Sequence, residues 1–256
     1  MDKHLQKGEI FMNRVVAITG GTKGLGRALA QAFAREGDVI AICARNESGL
    51  EEMSQLLTEL DVDFLTIKAD VSKEVDVEKF VSSIEANWGR IDLLINNAST
   101  YGNKPTLLAD YPTNTFEEVM QVNVMNPLYL TQRVLPGMLT RNEGMILNVT
   151  SEAGHTGYAG WGAYGVSKFA LEGLTEIWYD ELKDFNVSIK MVDPGEMDTE
   201  MHDLAVPNCD YELSDPNDVA KAFVYLASEA GSQMEAVRVK ADDLLKEVSQ
   251  HDIKNI

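Results

Sequence analysis

Cysteine is nearly missing from this chain, with two residues, Cys43 and Cys209, among 256. Two thiols cannot build a disulfide framework or a cysteine cluster, and His155 and His202 lack metal-ligand spacing, so no metal site is expected. Such sparing thiol use suits a reducing cytoplasm, which is the expected compartment. Cys43 lies in the apolar run 39–44 and reads as a small buried hydrophobe. No apolar stretch approaches the length of a membrane span, and residues 1–14 lack the continuous apolar region of a signal peptide. Positive charge is also scarce: Lys and Arg number 22 against 41 Asp and Glu, for a net charge of −19. The chain therefore offers no broad electrostatic footprint for nucleic acid or an anionic membrane, although one basic pocket for a phosphorylated small molecule remains open to it.

What is present is ordinary for a globular protein: 45% hydrophobic and 25% charged residues, long enough to bury one sizeable core. Apolar runs rich in Val, Ile and Leu recur at 15–19, 39–44, 64–69, 93–96, 145–150, 188–192 and 236–240. Amphipathic, helix-length segments separate them at 24–36, 49–60, 75–88, 115–140, 164–184 and 215–229. The runs show little polar alternation, as expected of parallel strands covered on both faces. The predicted architecture is a single α/β domain over 14–256, a doubly wound, Rossmann-type parallel sheet of seven strands, with ligands beyond the strand C-termini. Long connections at 98–114 and 194–213 are expected to wall that site, the second as a substrate loop. The tail after Lys240 is charged and is expected to pack loosely or fray. Residues 1–13 read as an extension. Met12 looks like a natural start, and Lys7-Gly8-Glu9 can be encoded by a purine-rich run of the ribosome-binding kind, so residues 1–11 are expected to be an upstream addition.

The first predicted strand runs into Thr19-Gly20-Gly21-Thr22-Lys23-Gly24-Leu25-Gly26. Gly20, Gly24 and Gly26 let the backbone turn and approach a pyrophosphate, and the next helix offers N–H groups and its positive dipole end. A glycine-rich turn alone is weak evidence, but its place between a buried strand and an amphipathic helix strengthens it. At the end of the second strand a carboxylate would favour the ribose hydroxyls of NAD. Here stand Ala44-Arg45-Asn46, so Arg45, helped by Lys23, is expected to hold the 2′-phosphate of NADP(H).

Tyr164 and Lys168 lie four apart at the start of a predicted helix, so they share a face. A phenol is a poor base at neutral pH, but an adjacent ammonium favours the phenolate, giving an acid for carbonyl reduction and a base for alcohol oxidation. Ser151, thirteen residues earlier at a strand end, can donate to the substrate oxygen. A Tyr–Lys pair at this spacing arises by chance on many helices; Ser151 and the glycine turn give it meaning.

Taken together, these motifs resemble the short-chain dehydrogenase/reductase family, in its single-domain, NADP(H)-preferring branch, over roughly residues 14–240. The matches are the glycine turn, Asp70-Val71, Asn96-Asn97-Ala98-Ser99, Asn123, Ser151, Tyr164 with Lys168, and Pro194-Gly195 followed by Thr199. The resemblance implies a catalytic trio of Ser151, Tyr164 and Lys168, with Lys168 also on the nicotinamide ribose and Asn123 anchoring a water of a proton relay. It implies that Asp70 bonds the adenine amine, that Asn97 braces the central strands and that Thr199 touches the nicotinamide carboxamide or a phosphate. Thr22, Leu25, Val71, Ala98, Pro194 and Gly195 belong to the same cofactor-binding motifs. The implied chemistry is pro-S hydride transfer between NADP(H) and a small carbonyl or alcohol, with Tyr164 moving the proton.

Three departures stand out. Ser99 replaces a usual glycine. Asn126-Pro127 occupies a position often held by glycine, where the helix is expected to persist with a local bend. The final strand lacks the family's Asp-Gly-Gly turn, which favours a homodimer through the long helices over a tetramer. Tyr101, His155, Tyr158, Trp161, Met197 and Met201 are expected to wall the substrate pocket, suggesting a partly apolar or aromatic compound. His202 shares that wall, and both His155 and His202 read as structural. Two rivals are a 3-oxoacyl reductase acting on an acidic carrier protein, which would want a basic patch, and a non-catalytic NADP-binding sensor, which would have lost part of the trio. An enoyl reductase would need a wider Tyr–Lys spacing, and a sugar-nucleotide epimerase a longer chain.

Overall fold

A computed structural model describes residues 13–249. Apart from Asn13, the expected N-terminal extension lies outside the described residues. Within them, seven strands form one parallel sheet in the order β3-β2-β1-β4-β5-β6-β7. They are β1 (Val15–Thr19), β2 (Val39–Ala44), β3 (Phe64–Lys68), β4 (Leu93–Asn96), β5 (Gly144–Val149), β6 (Val187–Asp193) and β7 (Arg238–Lys240). The uniform apolarity of the central strands has a direct cause, since both faces are covered. Along β1, Val16 and Ile18 pack into one layer while Val15 and Ala17 pack into the other. The first layer is filled by α1 (Gly24–Arg35), α2 (Glu47–Glu59) and α8 (Pro216–Leu226), the second by α3 (Glu74–Trp88), α5 (Asn126–Arg141) and α6 (Gly162–Leu182). The strand order reverses at β1, which sits between β2 and β4. Such a switch point opens a crevice above the strand ends.

The expected helix over 115–140 is interrupted. α4 (Thr113–Met120) gives way to a π-helical turn (Gln121–Met125) before α5 continues. The helix thus persists, with its local irregularity just ahead of Asn126-Pro127. A π turn of this kind inserts one residue into the ladder and commonly marks functional sites.

The tail needs correction. As far as Ser249 it does not fray: β7 runs directly into α10 (Ala241–Ser249), with Ala241, Leu244 and Val248 buried in the layer that also holds α8. Their spacing of three and four puts them on one narrow stripe, and the intervening acids face out. The seventh strand is also shorter than expected, beginning at Arg238. Two short helices complete the fold: α7 (Glu200–Ala205) lies within the loop 194–213, and α9 (Glu229–Ser232) joins α8 to β7 at the other end of the sheet. None of the helices among the described residues is long and apolar enough to cross a membrane.

Candidate active site

The crevice over β1 and β4 is a cavity of about 920 Å³ that runs from the glycine turn to Tyr164. At its first end, β1 hands over to Gly20, whose φ of +67° suits glycine and little else. A Cβ on Gly26 would lie 2.2 Å from the Gly20 carbonyl oxygen and 2.5 Å from Asn97 Nδ2. The start of α1 is thereby pressed against the turn, and its first N–H groups face the cavity floor formed by Gly24, Leu25 and Gly26. Asn97 ties the two central strands together, donating to the Thr19 carbonyl at 2.9 Å, while the Thr19 hydroxyl accepts from the N–H groups of Asn97 and Ala98. A cradle of main-chain donors closed to side chains is the surface a pyrophosphate requires, so these residues fit a dinucleotide.

Thr22, Ala98, Pro194, Gly195 and Thr199 line the same cavity. Asp70 and Val71 lie beyond β3, where Asp70 accepts from the Ser72 N–H and hydroxyl. Burial works against its charge. The two bonds from Ser72 and the positive charges of Arg45 and Lys73 outweigh that and hold its carboxyl below the usual range. Arg45 lines the wall at the end of β2, with no carboxylate beside it in sequence. Arg27, which sequence reading did not single out, lines the wall too, 3.6 Å from Glu52. Lys23 is not turned toward Arg45. Its ammonium reaches across the mouth of the cavity to both carboxylate oxygens of Glu200 on α7, at 2.8 and 2.9 Å.

At the other end Ser151 follows β5 and opens a short 3₁₀ turn (Glu152–Gly154), its hydroxyl accepting from the Ala153 N–H. Tyr164 and Lys168 sit on the first turns of α6 and are both buried. The Lys168 ammonium donates to the Val149 carbonyl at 2.8 Å and lies 5.4 Å from the centre of the Tyr164 ring. Burial acts on the phenol in the direction opposite to that expected of Lys168. Burial dominates and, with Asp193 and Tyr101, pushes the Tyr164 phenol up to about 12 against a hydrogen bond from Ser151. Burial also lowers Lys168 to about 8, opposed by the carboxylates of Glu172 and Asp193. At neutral pH the group in this cavity is a protonated phenol, able to donate its proton.

Asn123 lies in the π turn beneath this end. Its Nδ2 donates to the Thr100 carbonyl and the Ser167 hydroxyl, and its Oδ1 accepts from the Ser99 hydroxyl and the Thr100 N–H. That spends the donors and acceptors of the amide, so the side chain braces the β4 loop against α6 and has none left for a water. Ser99, the residue standing in for glycine, supplies one of those bonds.

Of the expected pocket wall, Tyr101, Trp161, Met197 and Met201 line the cavity, and so does His202. Tyr101 lies with its ring centre 5.4 Å from that of Tyr164 and 5.7 Å from that of Trp161, so the proton donor stands in an aromatic box. His202 is buried, with Nε2 3.4 Å from the Glu196 carboxylate. His155 and Tyr158 do not belong to the wall. The turn through Gly157 and Gly160 carries this segment to the outside, where His155 meets Glu152 and Thr156. Tyr158 is 44% exposed and packs near Trp161 in a separate shallow hollow with Leu107 and Leu108.

Sequence reading also missed a buried charge cluster behind Ser151. Glu172, Asp193 and Arg238 come together there from α6, β6 and β7. Among the described residues, no group of three His, Cys, Asp or Glu side chains could hold a metal ion.

Comparison with known proteins shows the family. The family model described as short chain dehydrogenase matches residues 14–209. The chain is 34% identical over 194 residues to an NADPH-dependent pterin aldehyde reductase of Arabidopsis thaliana, covering 75% of this chain and 78% of the relative. It is 32% identical over 221 residues to a 3-oxoacyl-[acyl-carrier-protein] reductase of Bos taurus, covering 84% and 91%. A crystal structure of a 3-ketoacyl-(acyl-carrier-protein) reductase from Brucella melitensis, complexed with NADH, superposes with a TM-score of 0.82 at 26% identity, covering 89% and 96%.

Proposed function

The chain belongs to the short-chain dehydrogenase family of oxidoreductases, and from that premise we propose that it is an NADP(H)-dependent reductase of small carbonyl compounds, reversible toward the matching alcohols, with Tyr164 as the proton donor. One observation carries the reading: the glycine cradle and the group Ser151, Tyr164 and Lys168 line the two ends of one cavity. When bound, a nicotinamide dinucleotide supplies or accepts the hydride.

The glycine turn, Asn97, Ala98, Pro194, Gly195 and Thr199 would hold the dinucleotide, with Asp70 and Val71 at the adenine and Lys168 at the nicotinamide ribose. Tyr164 places its phenolic proton where a carbonyl oxygen gains negative charge, and burial keeps that proton on the phenol until the oxygen needs it. Ser151 offers a second hydrogen bond to the same oxygen. The aromatic box excludes water from the reacting pair and favours an apolar or aromatic carbonyl compound. A sensor without catalysis is disfavoured because Ser151, Tyr164 and Lys168 are all present and gathered at one end of the cavity.

The preference for NADP(H) rests on Arg45, flanked in sequence by Ala44 and Asn46 where an NAD site would have a carboxylate, and supported by Arg27 and Lys23 along the same cavity. The Lys23–Glu200 pair is exposed on both sides and contributes little, so a phosphate can draw Lys23 away. The similar proteins differ on this point: one is an NADPH-dependent reductase, and another was crystallised with NADH.

The carrier-protein reading is favoured by the names of two similar proteins. Against it stand Glu196, Asp198 and Glu200 around the cavity and the net charge of −19, which repel an acidic carrier. A cytoplasmic setting remains our reading, from the thiol usage alone.

α6 turns Val166, Phe169 and Ile177 to solvent, each more than 40% exposed. We read this apolar face as the interface of a homodimer. Sedimentation that shows only monomers at micromolar concentration rejects that reading.

The reaction is tested by a screen of carbonyl compounds followed by NADPH absorbance, with NADH alongside. Replacing Tyr164→Phe is expected to leave NADPH affinity near that of the parent and to lower turnover about 10²–10⁴-fold. Activity retained within a few-fold removes Tyr164 as proton donor.

A further inference from the structure

β7 is the strand at which this chain departs most from the motifs that identify the family, and two of its three residues are cations aimed at the segment that carries Ser151. Arg238 Nη2 donates to the Ser151 main-chain carbonyl at 3.1 Å and to Asp193 Oδ2 at 3.0 Å, and its Nε donates to Glu172 Oε1 at 3.0 Å. Lys240 pairs with Glu152, the residue after Ser151, at 2.9 Å. The side chains of Glu172 and Asp193 are only 10% and 5% exposed, and that of Arg238 is 20% exposed.

Buried carboxylates at such positions need partners, and each has several. Glu172 Oε1 also accepts from the Thr150 hydroxyl, and Asp193 Oδ1 accepts from the Gly195 N–H at the start of the cofactor-side loop. The packing leaves no slack, since a Cβ on Gly154 would sit 2.3 Å from Glu172 Oε1.

Glu172 lies one helical turn beyond Lys168 on α6, and both carboxylates act on the Lys168 ammonium. Two cations, Lys168 and Arg238, thus face two anions, Glu172 and Asp193. Tyr164 on α6, Ser151 after β5 and the Thr150 hydroxyl on Glu172 are further polar groups at this end, while the Glu152–Lys240 pair lies farther out and exposed. In a low-dielectric site such a balance decides how firmly each proton is held.

We infer that Arg238 is a positioning residue of the active site: it fixes the Ser151 main chain to the sheet and offsets the two carboxylates that face Lys168. The inference rests on the reading of Ser151, Tyr164 and Lys168 as the reacting group. Without Arg238, both carboxylates answer to Lys168 alone and its proton is held more tightly. Without the charge of Glu172, Lys168 loses support and gives up its proton more readily. The two changes therefore act on Lys168 in opposite directions, whereas general structural damage would move both the same way.

The test reads Lys168 directly. Competitive acetylation of the protein by acetic anhydride from neutral to alkaline pH, followed by peptide mass spectrometry, gives the midpoint at which Lys168 becomes reactive. Arg238→Met is expected to raise that midpoint by roughly one pH unit and Glu172→Gln to lower it by a similar amount. Arg238→Met combined with Glu172→Gln is expected to return it close to the parent. Where Arg238→Met alone does not fold, the double variant carries the test through its shift above Glu172→Gln, because it leaves Glu172 without a charge to bury. A midpoint in either Arg238 variant at or below that of its Arg238-containing parent overturns the inference. The titration uses no substrate or cofactor, so it fails separately from the proposed reaction, which the Tyr164→Phe kinetics decide.

Discussion

The two halves of the sheet present their upper ends to the same cavity by different means. Around β1 and β2 the surface is mainly main chain, with Gly20 in a left-handed conformation and Gly26 packed without room for a methyl group. The thiol buried there, Cys43, is pushed up to about 12 by burial, so it stays uncharged. Around β5, β6 and β7 the working surface is side chains, and four of them carry charge inside the protein: Lys168, Glu172, Asp193 and Arg238. The contrast follows from the tasks. A dinucleotide phosphate carries its own charge and is held by oriented N–H groups that need no protonation state. Proton transfer needs groups whose protonation is set by neighbours, and that requires partners buried in register.

If the cofactor half works through its backbone, a change that adds no charge there must cost more than one that reverses a charge. Gly26→Ala places a methyl group against the Gly20 carbonyl oxygen. It is expected to weaken NADPH binding by about 3 kcal/mol, the upper part of the usual overpacking cost, as read by fluorescence titration. Arg45→Asp is expected to do less, weakening NADPH by about 1.4 kcal/mol, or tenfold, while NADH binding holds or improves. Should the charge reversal prove the larger effect, the division between a backbone half and a charge half fails. An unchanged NADPH-to-NADH ratio in Arg45→Asp removes Arg45 from the phosphate site.

How much of this was legible beforehand differs by the distance over which the information is spread. β1, β2 and β4 begin and end where their apolar runs do, because each run is bounded by turn residues within a few positions. The residues of the glycine turn and of the Tyr164–Lys168 pair were visible for the same reason, since their spacing is local. α10 was missed although Ala241, Leu244 and Val248 carry the helical period. The surrounding Asp242, Asp243, Lys246 and Glu247 outnumber them, and a three-residue stripe is a faint signal. The spacing of Tyr164 and Lys168 locates an ammonium but says nothing of burial, which acts on the phenol in the opposite direction. The Arg238 cluster had no local signature at all. Its partners lie 45, 66 and 87 positions away in the chain.

The bond from Arg238 to the Ser151 carbonyl has a consequence for the order of events on the ribosome. Ser151 is made 87 residues before the side chain that secures it. A nascent chain that has passed α6 already owns the glycine turn, the phenol and the ammonium, yet its hydroxyl-bearing turn has nothing from the last strand to rest on. The hydroxyl-bearing turn is therefore secured only when the seventh strand docks, late in synthesis.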